Sequence, residues 1–296
     1  MSARLSLTCI LICLGAGWGL TQPLTKVAVS SGHGAMGLVF WQLVIGAVLL
    51  TALNAARGKS LPINTKTLGL FVFIAILGTV LPNYFSYRAA FHLPSGVMSI
   101  IISTIPMLAF PMALALGTDR FSLRRLAGLS LGLTGVALIA LPEASLPDPA
   151  MVAWLPIALI APLCYAAEGN VVGKWGTLGL DGMQVLQGAS IIGSVIALPI
   201  ALGTSEWVNP LQPWGASEWA LLAGATIHAL VYSGFMWLIV AAGAVFAAQV
   251  STFVTAFGVL WAIVLLDEGY SGYIWTALAL MIAGLALVQP RQTEAH

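Results

Sequence analysis

Ten apolar runs, each about as long as a membrane-spanning helix, follow one another along this chain. A helix of about 20 apolar residues spans the hydrocarbon core of a bilayer. Only 7% of the residues are charged, against roughly 25% in an average soluble domain. The sequence therefore predicts an all-α integral membrane protein with ten transmembrane helices. The runs cover residues 5–25, 34–54, 67–87, 95–117, 124–142, 151–172, 182–203, 218–240, 244–266 and 272–289.

The first run is predicted to be a mature membrane helix rather than a signal peptide. It continues to about Thr25, contains Trp18, Gln22 and Pro23, and has no cleavage site of the A-x-A kind. Pairs of glycines four residues apart, Gly15 with Gly19 and Gly128 with Gly132, indicate close helix packing within the bundle.

The distribution of lysine and arginine predicts the orientation. With a cytoplasmic N-terminus, nine of the 11 basic residues face the cytoplasm and only Lys26 and Arg88 face outward, as the positive-inside rule requires. The even number of spans returns the C-terminus to the cytoplasm. The inward residues are Arg4, Arg57, Lys59, Lys66, Arg120, Arg124, Arg125, Lys174 and Arg291.

The two halves of the chain resemble each other at a shift of about 149 residues. Phe121 then aligns with Tyr270 and Gly135 with Gly284. Each half holds five spans, an odd number, so the second half must run inverted in the bilayer. The predicted organisation is two five-helix halves at 1–142 and 151–290, an outer connection at 143–150 and a cytoplasmic tail at 291–296.

Sequence motifs for catalysis or cofactor binding are weak. "GLSLG" at 128–132 has the G-x-S-x-G spacing but lies inside a predicted membrane helix, where the required strand-to-helix turn cannot form. The chain has no H-E-x-x-H and no phosphate-binding G-x-x-x-x-G-K-[ST]. Cys9, Cys13 and Cys164 lie in apolar runs and are interpreted as small core residues. We expect no enzymatic activity, no metal and no cofactor.

Three segments carry a resemblance to a known family: "GWGLTQPLTKV" at 17–27, "SGVMSIIISTIPML" at 95–108 and "GTDRFSLRRLAGLSLGLTGVALI" at 117–139. They resemble the drug/metabolite transporter superfamily, in particular its EamA-type members with duplicated five-helix halves. Asp119-Arg120 matches the acidic-basic pair typical after span 4, whereas Asp267-Glu268 in the second half departs from it. Within the superfamily, the chain looks most like YddG-type exporters of aromatic amino acids.

The resemblance implies a secondary transporter that exports small metabolites, most notably amino acids including aromatic ones, by alternating access around a central cavity. One chain would form the pathway, so the resemblance implies a monomer in the lipid bilayer of a bacterial inner membrane. Three alternatives remain open: a nucleotide-sugar-like, drug or other metabolite carrier of the same superfamily, a membrane-embedded enzyme acting on lipids, and a channel or scaffold. No nucleic-acid partner is expected at a net charge of +1.

His228 lies close to the middle of the eighth predicted span. Tyr232 lies four residues further on the same helix face. At the repeat shift, these two residues align with Thr79 and Asn83 in the third span. Polar side chains inside a membrane usually face a bundle interior or a wet cavity. The alternative role for His228 is an interhelical hydrogen bond that only fixes packing. Burial favours a neutral imidazole.

Other polar or aromatic residues inside the spans complete the predicted site. Glu168 lies about a turn from the inner end of its span, either paired with Lys174 or at the inner mouth of the cavity. Aromatic rings with a few hydrogen-bonding groups suit an amphipathic substrate. Lys26 and Arg88, near the outer side, either attract a carboxylate or extend to water. The remaining candidates are Trp18, Gln22, Gln42, Tyr84, Tyr87, Tyr165, Gln187 and Gln249.

Overall fold

A computed structural model describes residues 3–140, 145–242, 244–247 and 249–288. Every regular element in these residues is helical, which confirms the all-α prediction. Arg291, the predicted tail at 291–296 and residues 143–144 of the predicted connection lie outside the described residues. "Inner" and "outer" below denote the ends that the charge distribution predicts to be cytoplasmic and external.

The helices follow the predicted apolar runs closely. Among the described residues, eight continuous helical segments are long and apolar enough to cross a membrane, and some of them join two or three of the elements named below. Two shorter apolar helices of 17 residues follow at Val250–Leu266 and Gly272–Val288. Together they match the ten predicted spans in order. The elements are α1 (Ala3–Val29), α2 (Ala35–Ala56), α3 (Thr65–Ile74), a π-helix (Ala75–Val80), α4 (Leu81–His92), α5 (Ser95–Ile102), α6 (Ile105–Ala115), α7 (Leu123–Ala140), a 3-10 helix (Pro149–Trp154), α8 (Leu155–Trp175), α9 (Gly182–Gly203), α10 (Ala216–Ala242), α11 (Ala244–Ala247), α12 (Val250–Leu266) and α13 (Gly272–Val288).

Two spans are interrupted just before a proline. The third span widens into a π-helix over Ala75–Val80, and the fourth is broken between Ile102 and Ile105. Pro82 and Pro106 lack the N–H groups that would bond to the carbonyls of residues 78 and 102, and their rings crowd those carbonyls. Each proline therefore explains the irregular turn that precedes it. In the π-helix, the Thr79 hydroxyl donates to the Ala75 carbonyl at 2.7 Å.

The helices pair in a pattern that is the same for both halves. Helix α1 packs on α10 and α12, and α8 packs on α4 and α6. In the order of spans, α8 corresponds to α1, α10 to α4 and α12 to α6. If each helix is exchanged for its counterpart, the contacts of α1 become the contacts of α8. Helices α2 and α9 pack on each other, as do α7 and α13, and the same exchange leaves both pairs unchanged.

Glycines allow the closest helix approaches, as the four-residue spacings predict. A methyl group on Gly19 would lie 2.7 Å from the backbone nitrogen of Gly258, and one on Gly128 would lie 2.8 Å from the carbonyl of Gly284. Neither distance is compatible with a side chain. The predicted close packing in the bundle is confirmed at both positions.

The prediction for the cysteines is correct for one of the three. Cys164 is buried, but Cys9 and Cys13 are exposed on the surface of α1. Lipid tails are as apolar as a protein core, so an apolar residue in a membrane helix can face either. Hydrophobicity alone therefore does not place Cys9 and Cys13 in the core.

Carboxylates from the second half cap helices of the first half at the outer end. Glu206 accepts from the Met36 N–H at 2.7 Å, at the start of α2. Glu268 accepts from the Ser95 N–H at 2.8 Å, at the start of α5. Negative charge at a helix N-terminus is favourable because the first amide groups lack partners. Burial and a hydrogen bond with Glu268 raise the pKa of Tyr270 in the same loop.

Candidate substrate cavity

A cavity of about 420 Å³ lies at the centre of the bundle, within the range of roughly 300–1,000 Å³ typical of small-molecule sites. Both halves contribute to its walls. The described lining residues come from α1 to α6, the intervening π-helix, α8, α9, α10 and α12, and include none from the α7–α13 pair. The cavity is therefore lined both by α1, α10 and α12 and by α4, α6 and α8.

Trp18 and His228 form a direct hydrogen bond in the wall of this cavity. The Trp18 indole Nε1–H donates to His228 Nδ1 at 3.1 Å. An indole nitrogen can only donate, so Nδ1 must be the acceptor. The proton of the neutral imidazole then lies on Nε2, which remains a donor. The Trp18 ring also makes edge contacts with Tyr232 and Phe235, at centroid distances of 6.3 and 5.4 Å.

A similar contact joins the other two helices of the pattern. The Tyr165 hydroxyl on α8 donates to Asn83 Oδ1 on α4 at 3.2 Å. Asn83 is the repeat counterpart of Tyr232, and the Tyr165 region aligns with the Trp18 region. Each half thus places an aromatic donor beside a polar side chain of the other half in the lining of the cavity. Nearby, the Tyr87 hydroxyl donates to Gln42 Oε1 at 2.7 Å.

Glu168 also lies in the cavity wall, with its carboxyl group over Gly78 of the π-helix. A methyl group on Gly78 would be 2.7 Å from the carboxyl carbon of Glu168, so only glycine leaves room for this arrangement. The suggested partner Lys174 instead donates to the Leu116 carbonyl at 2.9 Å. Of the two positions open from the sequence, the structure shows the one at the cavity.

Most of the predicted site residues line this cavity. They come from six helical elements and both halves of the chain. They are Trp18, Gln22, Gln42, Thr79, Asn83, Tyr87, Tyr165, Glu168, His228 and Tyr232.

Three predicted site residues lie outside the cavity walls. Tyr84 accepts a hydrogen bond from the exposed Arg88 at 3.0 Å. Gln187 is buried between α2 and α9, where Asn54 donates to it at 2.8 Å and it donates to Thr51 at 3.0 Å. Gln249 precedes α12 without capping it through its side chain. A residue's span and depth were predictable here, but the direction of its side chain was not.

The two predicted mouth charges are used differently. The Lys26 ammonium donates to the carbonyls of Phe91 and Leu93, at 3.1 and 3.0 Å, and so caps the C-terminal end of α4. Arg88 is exposed and lies 5.7 Å from the centre of the Tyr84 ring. Neither residue is part of the cavity lining.

Several lining residues were missing from the sequence prediction. The clearest are Gly78, beside Glu168, and Ser103, at the break between α5 and α6. Small residues leave no trace in a hydropathy profile, but both precede a proline by a few residues. Pro82 and Pro106, which lie inside predicted spans, are the sequence signal for a break in these two segments.

The acidic-basic motif after the fourth span lies at the inner end, away from the cavity. The Asp119 carboxylate accepts from the Arg125 side chain and from the Arg120 backbone N–H. The ionic contact therefore involves Arg125 rather than the adjacent Arg120. It joins the loop before α7 to the first turns of that helix.

Comparison with known families now gives these features a context. Residues 6–141 match the EamA-like transporter family. The match covers most of the first half, from α1 to the end of α7, and over this part the chain is similar to small-molecule membrane transporters. A comparison with curated proteins found no match.

The same fold occurs in a solved structure named "Crystal structure of protein". It aligns with a TM-score of 0.65 over 95% of this chain and 96% of that chain, at 17% sequence identity. At this identity the likeness extends to the fold alone. It covers both halves, including the second half that the family match does not reach.

Proposed function

We propose that this chain is a secondary transporter that exports amino acids, including aromatic ones, across a bacterial cytoplasmic membrane by alternating access. The central cavity, with Trp18 hydrogen-bonded to His228 in its wall, is the observation that carries this proposal. A cavity in the middle of a helical membrane protein can hold one small substrate between its two sides.

Two inverted halves would supply the movement. Helix α1 of the first half packs on α10 and α12 of the second, and α8 of the second half packs on α4 and α6 of the first, so each of these two helix groups contains spans from both halves. Rocking one against the other would open alternate ends. We propose that residues 1–142 and 151–290 are these halves, with both termini in the cytoplasm and one monomer forming the pathway.

The cavity walls suit an amphipathic solute with an aromatic ring. Rings from Trp18, Tyr165 and Tyr232 offer edges and faces for stacking. His228 Nε2 and the amides of Gln22 and Gln42 provide polar contacts along the same walls. A small number of polar groups on an apolar surface is typical of sites that bind and orient small metabolites.

A nucleotide-sugar substrate fits these walls less well. Phosphate groups are normally held by arginine, lysine or helix N-termini. None of the described residues that line the cavity is a lysine or an arginine. We therefore place amino acids ahead of phosphorylated substrates.

Transport by purified protein in liposomes tests the proposal. Labelled tryptophan, phenylalanine and threonine should cross the membrane with saturable kinetics and show counterflow, each measured with and without a pH gradient. Flux no greater than in protein-free vesicles, across a broad amino-acid panel, would refute the substrate class. Unsaturable flux without counterflow would indicate a channel.

His228→Ala tests the part that the cavity plays. We expect tryptophan flux to fall by at least fivefold while the protein inserts and purifies normally. His92→Ala is the matched control, because His92 stacks on Trp154 away from the cavity, at a centroid distance of 3.6 Å. Unchanged flux combined with a lower melting temperature would assign His228 to packing alone.

A further inference from the structure

We infer that Glu168 makes the cavity selective for substrates with a positively charged nitrogen attached to an aromatic or apolar body. This inference rests on the proposed function, since it concerns the same cavity. It narrows the substrate class to amines and to amino acids held through the ammonium group. Acids that lack such a nitrogen would be excluded.

The charge distribution of the walls is the first observation. Glu168 is the only aspartate, glutamate, lysine or arginine among the described residues that line the cavity. The basic side chains close in sequence to lining residues contact other groups: Lys174 donates to the Leu116 carbonyl, Lys26 to the Phe91 and Leu93 carbonyls, and Arg88 to the Tyr84 hydroxyl. The lining therefore has an acidic group and no fixed cation to balance it.

The position of the carboxyl group is the second observation. The carboxyl group of Glu168 lies over Gly78 of the π-helix, which has no side chain to occupy this space. Tyr165 and Tyr232 line the same cavity as this carboxyl group. The acidic group therefore belongs to a cavity wall that also contains aromatic residues.

Physical chemistry then favours a cationic occupant. A carboxylate removed from water is costly unless a cation accompanies it. Because the described walls supply none, the ammonium of a substrate would be the counter-charge. The faces of Trp18 and the neighbouring tyrosines attract the same cation through their quadrupoles, and the charge-assisted hydrogen bond to Glu168 would fix its position.

A substrate carboxylate would meet different conditions. His228 offers a neutral Nε2 donor, and the amides of Gln22 and Asn83 are also uncharged. Such groups can accompany a carboxylate whose ammonium is already paired, as in an amino acid. An acid without an ammonium would instead approach Glu168 as a second negative charge. The geometry therefore ranks amine and zwitterion above acid.

Three compounds with one indole ring isolate this effect: tryptamine, tryptophan and indole-3-propionate. At pH 7, tryptamine is a cation, tryptophan is a zwitterion and indole-3-propionate is an anion. Dissociation constants are obtained for each from thermal stabilisation of the full-length protein in detergent at pH 7, which avoids passive diffusion of the amine through vesicles. We expect tryptamine and tryptophan to bind at least tenfold more tightly than indole-3-propionate.

Glu168→Gln keeps the size of the side chain and removes its charge. In this variant, the ratio of affinities for tryptamine and tryptophan over indole-3-propionate should fall below threefold, mainly because tryptamine binds more weakly. Gly78→Ala provides a second variant: its methyl group would displace the flexible end of Glu168, and it should also reduce the preference. Asp148→Asn is the control, because Asp148 is exposed and caps the 3-10 helix through its side chain at 2.8 Å to Ala150 N; its preference should equal that of the wild type.

Two results would overturn the inference: equal affinities for the three compounds in the wild type, or an unchanged preference in both Glu168→Gln and Gly78→Ala. These results differ from a failure of the proposed function. Tryptamine binding without any amino-acid flux would refute amino-acid export and leave charge selection standing. Tryptophan flux without a charge preference in binding would support amino-acid export and refute charge selection by Glu168.

Discussion

The indole N–H of Trp18 donates to His228 Nδ1 across the interface between α1 and α10, at 3.1 Å. This single contact determines which nitrogen of the neutral imidazole carries its proton. It thereby leaves Nε2 as a donor. A histidine that is isolated in the sequence is therefore oriented by a tryptophan 210 residues away in the chain.

Trp18→Phe should weaken substrate binding without unfolding the protein. Phenylalanine retains a ring for the edge contacts with Tyr232 and Phe235, but it cannot donate to His228. An interhelical hydrogen bond in a membrane contributes about 0.6 kcal/mol on average, which corresponds to roughly threefold. We expect the apparent KM for tryptophan to rise about threefold or more in proteoliposomes.

The control for this variant is Trp261→Phe. The Trp261 indole donates to the Ala16 carbonyl at 3.0 Å, and its side chain does not line the described cavity walls. It should lower the melting temperature slightly and leave KM unchanged. Equal effects of the two substitutions on KM would show that the Trp18–His228 contact has no special part in binding.

Sequence alone could predict the spans because apolar length is a property of each helix separately. It could also single out His228 and Glu168, whose side chains are expensive in an apolar segment. It could not predict that Gln187 faces α2, or that Gly78 lies beneath Glu168. Those facts depend on how each helix is rotated against its neighbours, and that rotation is set by packing along its whole length.

Gly19→Ala should destabilise the protein strongly. The added methyl group would meet the Gly258 nitrogen at 2.7 Å and the Val254 carbonyl oxygen at 2.9 Å. Both are backbone atoms that cannot move without separating α1 from α12. Overpacking of this kind costs about 1–3 kcal/mol, so a clear fall in the melting temperature is expected in detergent.

Gly169→Ala is the matched control for Gly19→Ala. A methyl group at Gly169 would meet no atom within 4 Å, and alanine favours a helix over glycine by roughly 0.5–1 kcal/mol. Its melting temperature should be equal to or above that of the wild type. A wild-type melting temperature for Gly19→Ala would contradict the close approach of α1 and α12.

Asp181→Asn tests the ionic contact at the inner end of α2 and α9. Burial alone would raise the pKa of Asp181, but hydrogen bonds from Arg57 and the Gln184 N–H together hold it below its ordinary value. Asparagine caps a helix as well as aspartate, so the substitution removes mainly the charge. Because the contact is partly exposed, we expect at most about 1 kcal/mol.

The sign of the pH dependence follows from the lowered pKa. A carboxyl group of this kind contributes its full stabilisation above its unfolded pKa of about 3.9 and loses it as the pH falls through the folded value. The melting temperature of Asp181→Asn should therefore be lower than that of the wild type at pH 7, and the difference should shrink as the pH falls below the unfolded pKa. A difference that stays constant as the pH falls would contradict the ionic origin.

Labelling of single cysteines tests the orientation of the bundle. Lys59 lies in the loop between α2 and α3, and Leu211, which is 91% exposed, lies in the loop between α9 and α10. The charge distribution predicts that the first loop is cytoplasmic and the second external.

In a background with Cys9, Cys13 and Cys164 replaced by serine, a membrane-impermeant thiol reagent applied to intact cells should label Leu211→Cys only. Lys59→Cys should react only after the membrane is permeabilised. Labelling of both residues in intact cells would refute the alternation of the spans, and the reverse pattern would invert the proposed direction of the whole bundle.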